Sequence, residues 1–227
     1  MKKLILSIVA IMAAAIGAWA QDYADLIYGR SNVSYENIHY GATKGSGLFL
    51  GKEGIGLNGF GIEEMVGFPL SKTNAIDVEL GLQLQAAWGG IKTQTAGIEN
   101  KLNTNLLRIN IPLQFIYHFN FDEGRFKVSP SAGIDFRFNL LARETLKTYA
   151  DGKQIAEDKT NYFSKFDMND NTFKRFQMGW HVGLTFEYYN LNLNVSYGTD
   201  FTPIYNDKVT GTKINTSNFS IGIGATY

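Results

Sequence analysis

Leu107-Arg108-Ile109-Asn110-Ile111-Pro112-Leu113-Gln114-Phe115-Ile116-Tyr117-His118-Phe119 places an apolar residue at every odd position. The even positions carry Arg108, Asn110, Gln114 and His118, and only Pro112 and Ile116 break their polarity. A period of two is the side-chain repeat of an extended strand, whose successive residues point to opposite faces. Strands of soluble proteins are usually about five or six residues long. A run twice that length, apolar on one face and polar on the other, suits a tilted strand with lipid outside and a wet or packed interior.

The pattern repeats along the chain. Residues 75–88 set Ile76, Val78, Leu80, Leu82, Leu84, Ala86 and Trp88 against Asp77, Glu79, Gly81, Gln83 and Gln85. Residues 126–140 set Val128, Ile134, Phe136, Phe138 and Leu140 against Lys127, Ser129, Asp135, Arg137 and Asn139. Residues 176–188 direct Met178, Trp180, Leu184 and Phe186 outward, with Gln177, His181, Thr185 and Glu187 inward. Residues 191–201 alternate Leu193, Val195 and Tyr197 with Asn192, Asn194 and Asp200. The last strand, 219–227, presents Phe219, Ile221, Ile223 and Tyr227 on one face.

Two further strands are less regular. Phe60, Ile62, Val66, Phe68 and Leu70 share a face that Glu64 interrupts, which predicts a bulge or a rim position there, with Glu63 inward. The first strand is expected within residues 23–35, or alternatively near 45–53. Bacterial barrels have even strand numbers, so the expectation is all-β: an eight-stranded antiparallel transmembrane β-barrel. Short links at 71–74, 120–125 and 189–190 alternate with long ones before residue 60 and at 89–105, 141–175 and 203–216. Short periplasmic turns and long external loops are the rule for such barrels, and both termini then lie in the periplasm. Within 141–175, Asp151-Gly152 reads as a hairpin turn whose flanks extend two strands above the membrane. Phe68, Phe119, Phe121, Phe126, Tyr188, Tyr189 and Tyr227 form a periplasmic aromatic belt, and Trp88, Phe138, Phe176 and Phe201 an outer one.

Residues 1–20 read as a cleaved signal peptide: Lys2 and Lys3, an apolar run from 4 to 17, then Ala18-Trp19-Ala20. Residues 21–227 form one barrel domain. Losing Lys2 and Lys3 leaves 19 basic against 21 acidic residues, and no basic stripe points to nucleic acid. The absence of cysteine excludes disulfides, zinc–thiolate sites and thiol catalysis. No apolar run beyond the signal is long enough for a membrane helix.

Leu107-Arg108-Ile109-Asn110-Ile111-Pro112-Leu113 leading into Tyr117-His118-Phe119, together with Ser131-Ala132-Gly133, Gly183 ahead of Phe186-Glu187-Tyr188, and the 193–197 strand, resembles the PorT-like outer-membrane barrel family. The resemblance covers about residues 58–227. It implies an outer-membrane barrel tied to secretion or surface assembly, and it brings no catalytic motif. The terminal Phe219, Ile221, Ile223 and Tyr227 resemble the signal read by the barrel-assembly machinery.

The inward charges Glu63, Asp77, Glu79, Arg108, His118, Lys127, Asp135, Arg137, His181, Glu187 and Asp200 mix both signs. An eight-stranded lumen is just wide enough for side chains to fill, so an ion-paired network is expected there, with a narrow polar channel as the sharper alternative. Catalysis in a small barrel would need a His with a Ser or carboxylate near the outer rim. His39, with Ser34 and Glu36 close in sequence, is expected on the first external loop and is the candidate. His118 falls at the periplasmic end and His181 in mid-barrel. No metal-ligand spacing and no nucleotide loop is present, and no cofactor is expected. The expected function is a non-catalytic structural or interaction platform contacting outer-membrane lipid and, through its external loops, a protein partner. The alternatives are a rim-active lipid-modifying enzyme and a soluble lipocalin-like binder, in which the same faces would be inverted.

Overall fold

Strand β1 (Tyr28–Lys44) pairs on one side with β2 (Gly56–Pro69) and on the other with the last strand of the chain. The computed structural model describes residues 27–44, 56–70, 75–163, 174–206 and 213–227. The signal segment 1–20, the alternative first strand at 45–53 and the short link 71–74 lie outside them. The remaining strands are β3 (Ile76–Thr95), β4 (Ile98–Tyr117), β5 (Phe119–Phe121), β6 (Phe126–Ala150), β7 (Lys153–Asn161), β8 (Phe176–Tyr188), β9 (Leu191–Asp200), β10 (Tyr205–Asn206) and β11 (Lys213–Thr226). Eight of them run β1-β2-β3-β4-β6-β8-β9-β11, and the β11–β1 pairing closes the ring, all antiparallel.

The closure has a definite stagger. Stepping between paired residues from Gly29 through Val66, Leu80, Leu113, Ile134, Trp180, Thr199 and Ser217 returns to β1 at His39, ten residues above the start. Eight strands with that offset, at about 3.3 Å rise and 4.8 Å spacing, tilt by about 40° and leave no unpaired wall edge.

The alternation decides which face meets what. Val33, Phe60, Ile62, Leu82, Leu84, Phe115, Val182, Leu193 and Ile223 are exposed on the outer wall, while the polar residues of the same strands are buried inside. That orientation is the reverse of a lipocalin, whose apolar residues line the cavity.

Several boundaries differ from the sequence expectation. The first strand starts later and runs further, so His39 lies on β1, exposed and paired with Ser217 and Gly56, rather than on a loop. Glu64 causes no bulge: β2 pairs with both neighbours in unbroken register, and Glu64 faces outward. Residues 89–105 are not an open loop. β3 and β4 continue to Thr95↔Ile98 and turn through Ala96 and Gly97, both at positive φ, because a two-residue hairpin turn needs left-handed backbone. At the opposite end β4 stops at Tyr117, and β5 resumes after His118 before a tight turn at Asp122–Gly124. A register shift at Leu107/Arg108 marks a bulge in β6 opposite, so Asn139 and Ala142 are both buried while Leu140 is exposed. Beyond it β6 and β7 form the expected Asp151-Gly152 hairpin.

Candidate functional site

The lumen is built in layers, each supplied by inward positions of several strands. At the periplasmic end Lys127 Nζ donates to Glu187 Oε1 at 2.7 Å, and Thr226 donates to Glu187 Oε2 at 2.9 Å. Beside them His118 Nε2 lies 2.8 Å from Asp77 Oδ2, and its Nδ1 lies 2.7 Å from Ser129 Oγ. With Nε2–H donating to the carboxylate, Nδ1 accepts from the Ser129 hydroxyl, the order of an acyl-transfer relay. The hydroxyl nonetheless faces the lumen from a side chain only 2 % exposed. Here the relay serves as a clamp that joins β3, the end of β4 and β6.

One step up, Arg30 Nη2 donates to Glu79 Oε2 at 2.7 Å and Tyr28 OH donates to Glu79 Oε1 at 2.8 Å. Gln114 donates to the same carboxylate and accepts from His181 Nε2 at 2.7 Å. His181 Nδ1 lies 3.1 Å from Asp135 Oδ2, and Asn32 donates to Glu63 at 3.0 Å. Higher still, Arg137 bridges Asp135, at 2.6 Å, and Asp200, which also accepts from Gln177 and Thr216. Arg108, fully buried, donates through Nε to Gln85. All eleven charged positions singled out in the sequence therefore point into one tube.

The sequence reading missed Arg30 and Glu36, two charges on β1. Glu36 is fully buried and accepts from Ser34 at 2.5 Å, Gln83 at 2.9 Å, Asn218 at 2.7 Å and Ser220 at 3.0 Å. A period of two was there to be seen in Arg30, Asn32, Ser34 and Glu36, but weak apolar partners hid it. Ser34 and Glu36 face inward and His39 outward, so the three do not assemble at the rim. Among the described residues no group of three or more His, Asp or Glu could hold a metal ion.

Above the charges an apolar cap fills inward positions, most of which lie beyond the strands expected from the sequence and one of which, Ala87, lies within the 75–88 strand. Ile38, Tyr40, Leu57, Ala87, Leu106, Ala142 and Ile214 pack together there with Phe163 and Ile204. Each fully buried Leu or Ile contributes about 1.5–3 kcal/mol. On top of the cap Glu144 accepts from Thr104 at 3.2 Å and Tyr162 at 2.8 Å. Desolvation pushes Glu144 up to about 7, and desolvation, followed by the Glu144 charge, raises Tyr162 above the ordinary phenol range. Below the cap, the lumen cavity bounded by Arg30, Glu63, Gln83, Asn110, Asp135 and His181 measures about 60 Å³. At about 30 Å³ for each water, that is room for about two water molecules and not for a substrate.

Outside the barrel, the upper parts of β3, β4, β6 and β7 form a four-stranded sheet carried beyond the outer aromatic belt. Among the described residues strand β7 pairs with β6 alone, and nearly all of it is exposed.

A closed antiparallel ring with lipid-facing apolar walls and a charged, packed lumen defines an outer-membrane β-barrel. The chain belongs to the outer membrane protein beta-barrel domain family, whose model matches residues 20–206. Its location is accordingly the outer membrane. A comparison with curated proteins finds no match. Among solved structures the chain is similar to Ail, the attachment invasion locus protein of Yersinia pestis, at 10% identity over 88% of this chain and 99% of that one, with a TM-score of 0.42. It is similar to OprG from Pseudomonas aeruginosa at 11% identity over 88% and 95%, TM-score 0.42. It is also similar to the outer membrane enzyme PagL at 11% over 85% and 97%, TM-score 0.40.

Proposed function

We propose that this barrel is a non-catalytic anchor that holds an interaction surface, the β3–β4–β6–β7 sheet, above the outer membrane. The observation that carries this reading is the outer edge of β7, which pairs with no further strand among the described residues. An exposed strand with unpaired backbone groups is a template for an extended segment of a partner, which would join as a further strand. Ile98, Leu146 and Ile155 add exposed apolar side chains to the same sheet, beyond the reach of lipid. The PorT-like resemblance fits a partner in secretion or surface assembly.

A rim enzyme finds less support. Its three candidate residues lie on opposite faces of β1, and the Ser129–His118–Asp77 group sits buried at the far end. The test is a photo-crosslinking residue at Ile155 in intact cells, with one at Leu193 on the wall as control. Discrete protein adducts at Ile155, and none at Leu193, are expected. A change in lipid A or phospholipid composition on His39→Ala or on removal of the β6–β7 hairpin would replace the platform with an enzyme.

A further inference from the structure

Glu64 is a carboxylate on the lipid-facing wall. It sits on β2 between Ile62 and Val66, paired laterally with Ser31 of β1 and Leu82 of β3. It is four residues above Phe68, about 10 Å along the barrel axis at a 40° tilt, and within reach of the hydroxyl of Tyr227, another residue of the periplasmic belt, so it lies at the lower margin of the apolar band. Ionisable groups at membrane depth almost always face a bundle or barrel interior, because a charge in hydrocarbon is costly unless paired. Here the pairing is partial and built from neutral groups. Ser31 Oγ donates to Glu64 Oε2 at 2.5 Å, and the Tyr227 hydroxyl donates to Oε1 from across the closing seam. Neither neutralises the charge, and no cationic side chain pairs with it among the described residues.

Next to Glu64 the wall is concave. A groove of about 630 Å³ passes Val33, Ile62, Leu82, Leu84, Ile109 and Ile223, rising from the carboxylate toward the middle of the apolar band. With the termini in the periplasm, a lipid of the inner leaflet has its headgroup below this groove and its chains running up it. We infer that Glu64, Ser31 and Tyr227 with this groove bind a phospholipid of the periplasmic leaflet through a primary ammonium headgroup. The ammonium supplies the missing counter-charge and up to three N–H donors, and the groove takes an acyl chain. An anionic or fully methylated headgroup lacks one or both of those features.

The experiment is native mass spectrometry of the full refolded chain released from detergent micelles doped with phosphatidylethanolamine, phosphatidylglycerol or phosphatidylcholine. Wild type is expected to retain one phosphatidylethanolamine in preference to the other two, and Glu64→Gln to reduce that retention about tenfold. Leu82→Trp fills the groove but keeps the carboxylate, and is expected to lower retention as well. Heat-modifiable migration on a gel verifies that each variant is folded. Equal retention by wild type and folded Glu64→Gln, or equal retention of all three lipids, overturns the inference. So does a photo-crosslinker at Ile62 in cells that yields protein adducts and no lipid, since the surface then belongs to a protein partner.

Discussion

The Arg30 guanidinium donates to the Glu79 carboxylate at 2.7 Å across the lumen, joining β1 to β3 over the intervening β2. Both side chains are buried, and Tyr28 and Gln114 complete the carboxylate's partners. Breaking such a pair strands the surviving charge, which typically costs about 3–5 kcal/mol. Arg30→Met is expected to lower the unfolding free energy of the refolded barrel by that amount, read as a lower urea midpoint at an unchanged m-value. Adding Glu79→Gln should restore much of the loss, because no buried charge is then left alone. A loss below about 1 kcal/mol in Arg30→Met would show that the layer is solvated.

Glu144 gives the outer end a pH dependence of definite sign. Its folded-state value, about 7, lies above the ordinary 4.5, so the folded chain holds this proton more tightly than the unfolded one. The protonated carboxyl is accommodated fully below about pH 4.5, and stability falls as pH rises from there to about 7. By the usual conversion the effect is on the order of 3 kcal/mol or less. Protection factors of residues 142–162, that is, exchange corrected for the intrinsic base-catalysed rate, are expected to be larger at pH 5 than at pH 8, and Glu144→Gln should flatten the difference. Smaller protection factors at pH 5 than at pH 8 would reverse the assignment.

What the sequence disclosed was set by how strongly each face was patterned. From β3 onward the membrane-spanning strands follow the period of two because lipid on one side and a polar lumen on the other act on every residue. Residues 176–188 and β8 coincide for that reason. Where lipid ends, the pattern changes. Ile38, Leu57, Leu106 and Ile214 are apolar yet inward, since the cap excludes water, and alternation there reads as loop. The bulge at Leu140 hid Glu144 by reversing parity beyond it. Glu64 is the opposite case, because a charge on the apolar face was read as an irregularity of the backbone, whereas the backbone is regular and the side chain is the exception.

Glycine at position 59 is required by backbone proximity rather than by its own dihedral angles. A Cβ there would stand 1.9 Å from the Ala86 carbonyl oxygen and 2.6 Å from Ala87 Cα. Both are wall atoms held by the β2–β3 ladder, so neither can yield without opening the pairing. Gly59→Val is expected to abolish or sharply reduce the heat-modifiable form on a gel. Gly41→Ala, where a Cβ meets nothing within 4 Å, should migrate as wild type. A folded Gly59→Val of wild-type stability would mean that the two strands separate more easily than this geometry allows.

The lumen carries two barriers in series, and together they predict a closed barrel. An ion crossing it would first meet the layer in which Arg137 is held between Asp135 and Asp200, where its own charge must compete with pairs already made. It would then meet the cap of Ile38, Tyr40, Leu57, Leu106 and Ile214, whose side chains are apolar except for the Tyr40 hydroxyl and replace little of its hydration shell. Planar-bilayer recordings of the refolded chain are therefore expected to show no resolved conductance steps. Leu57→Ala with Leu106→Ala should cost about 2–5 kcal/mol per truncation without creating a conducting level, because the charged layer beneath is untouched. Defined steps from wild type would require the side chains of both layers to swing aside together, and the polar-channel reading would then take the place of the packed one.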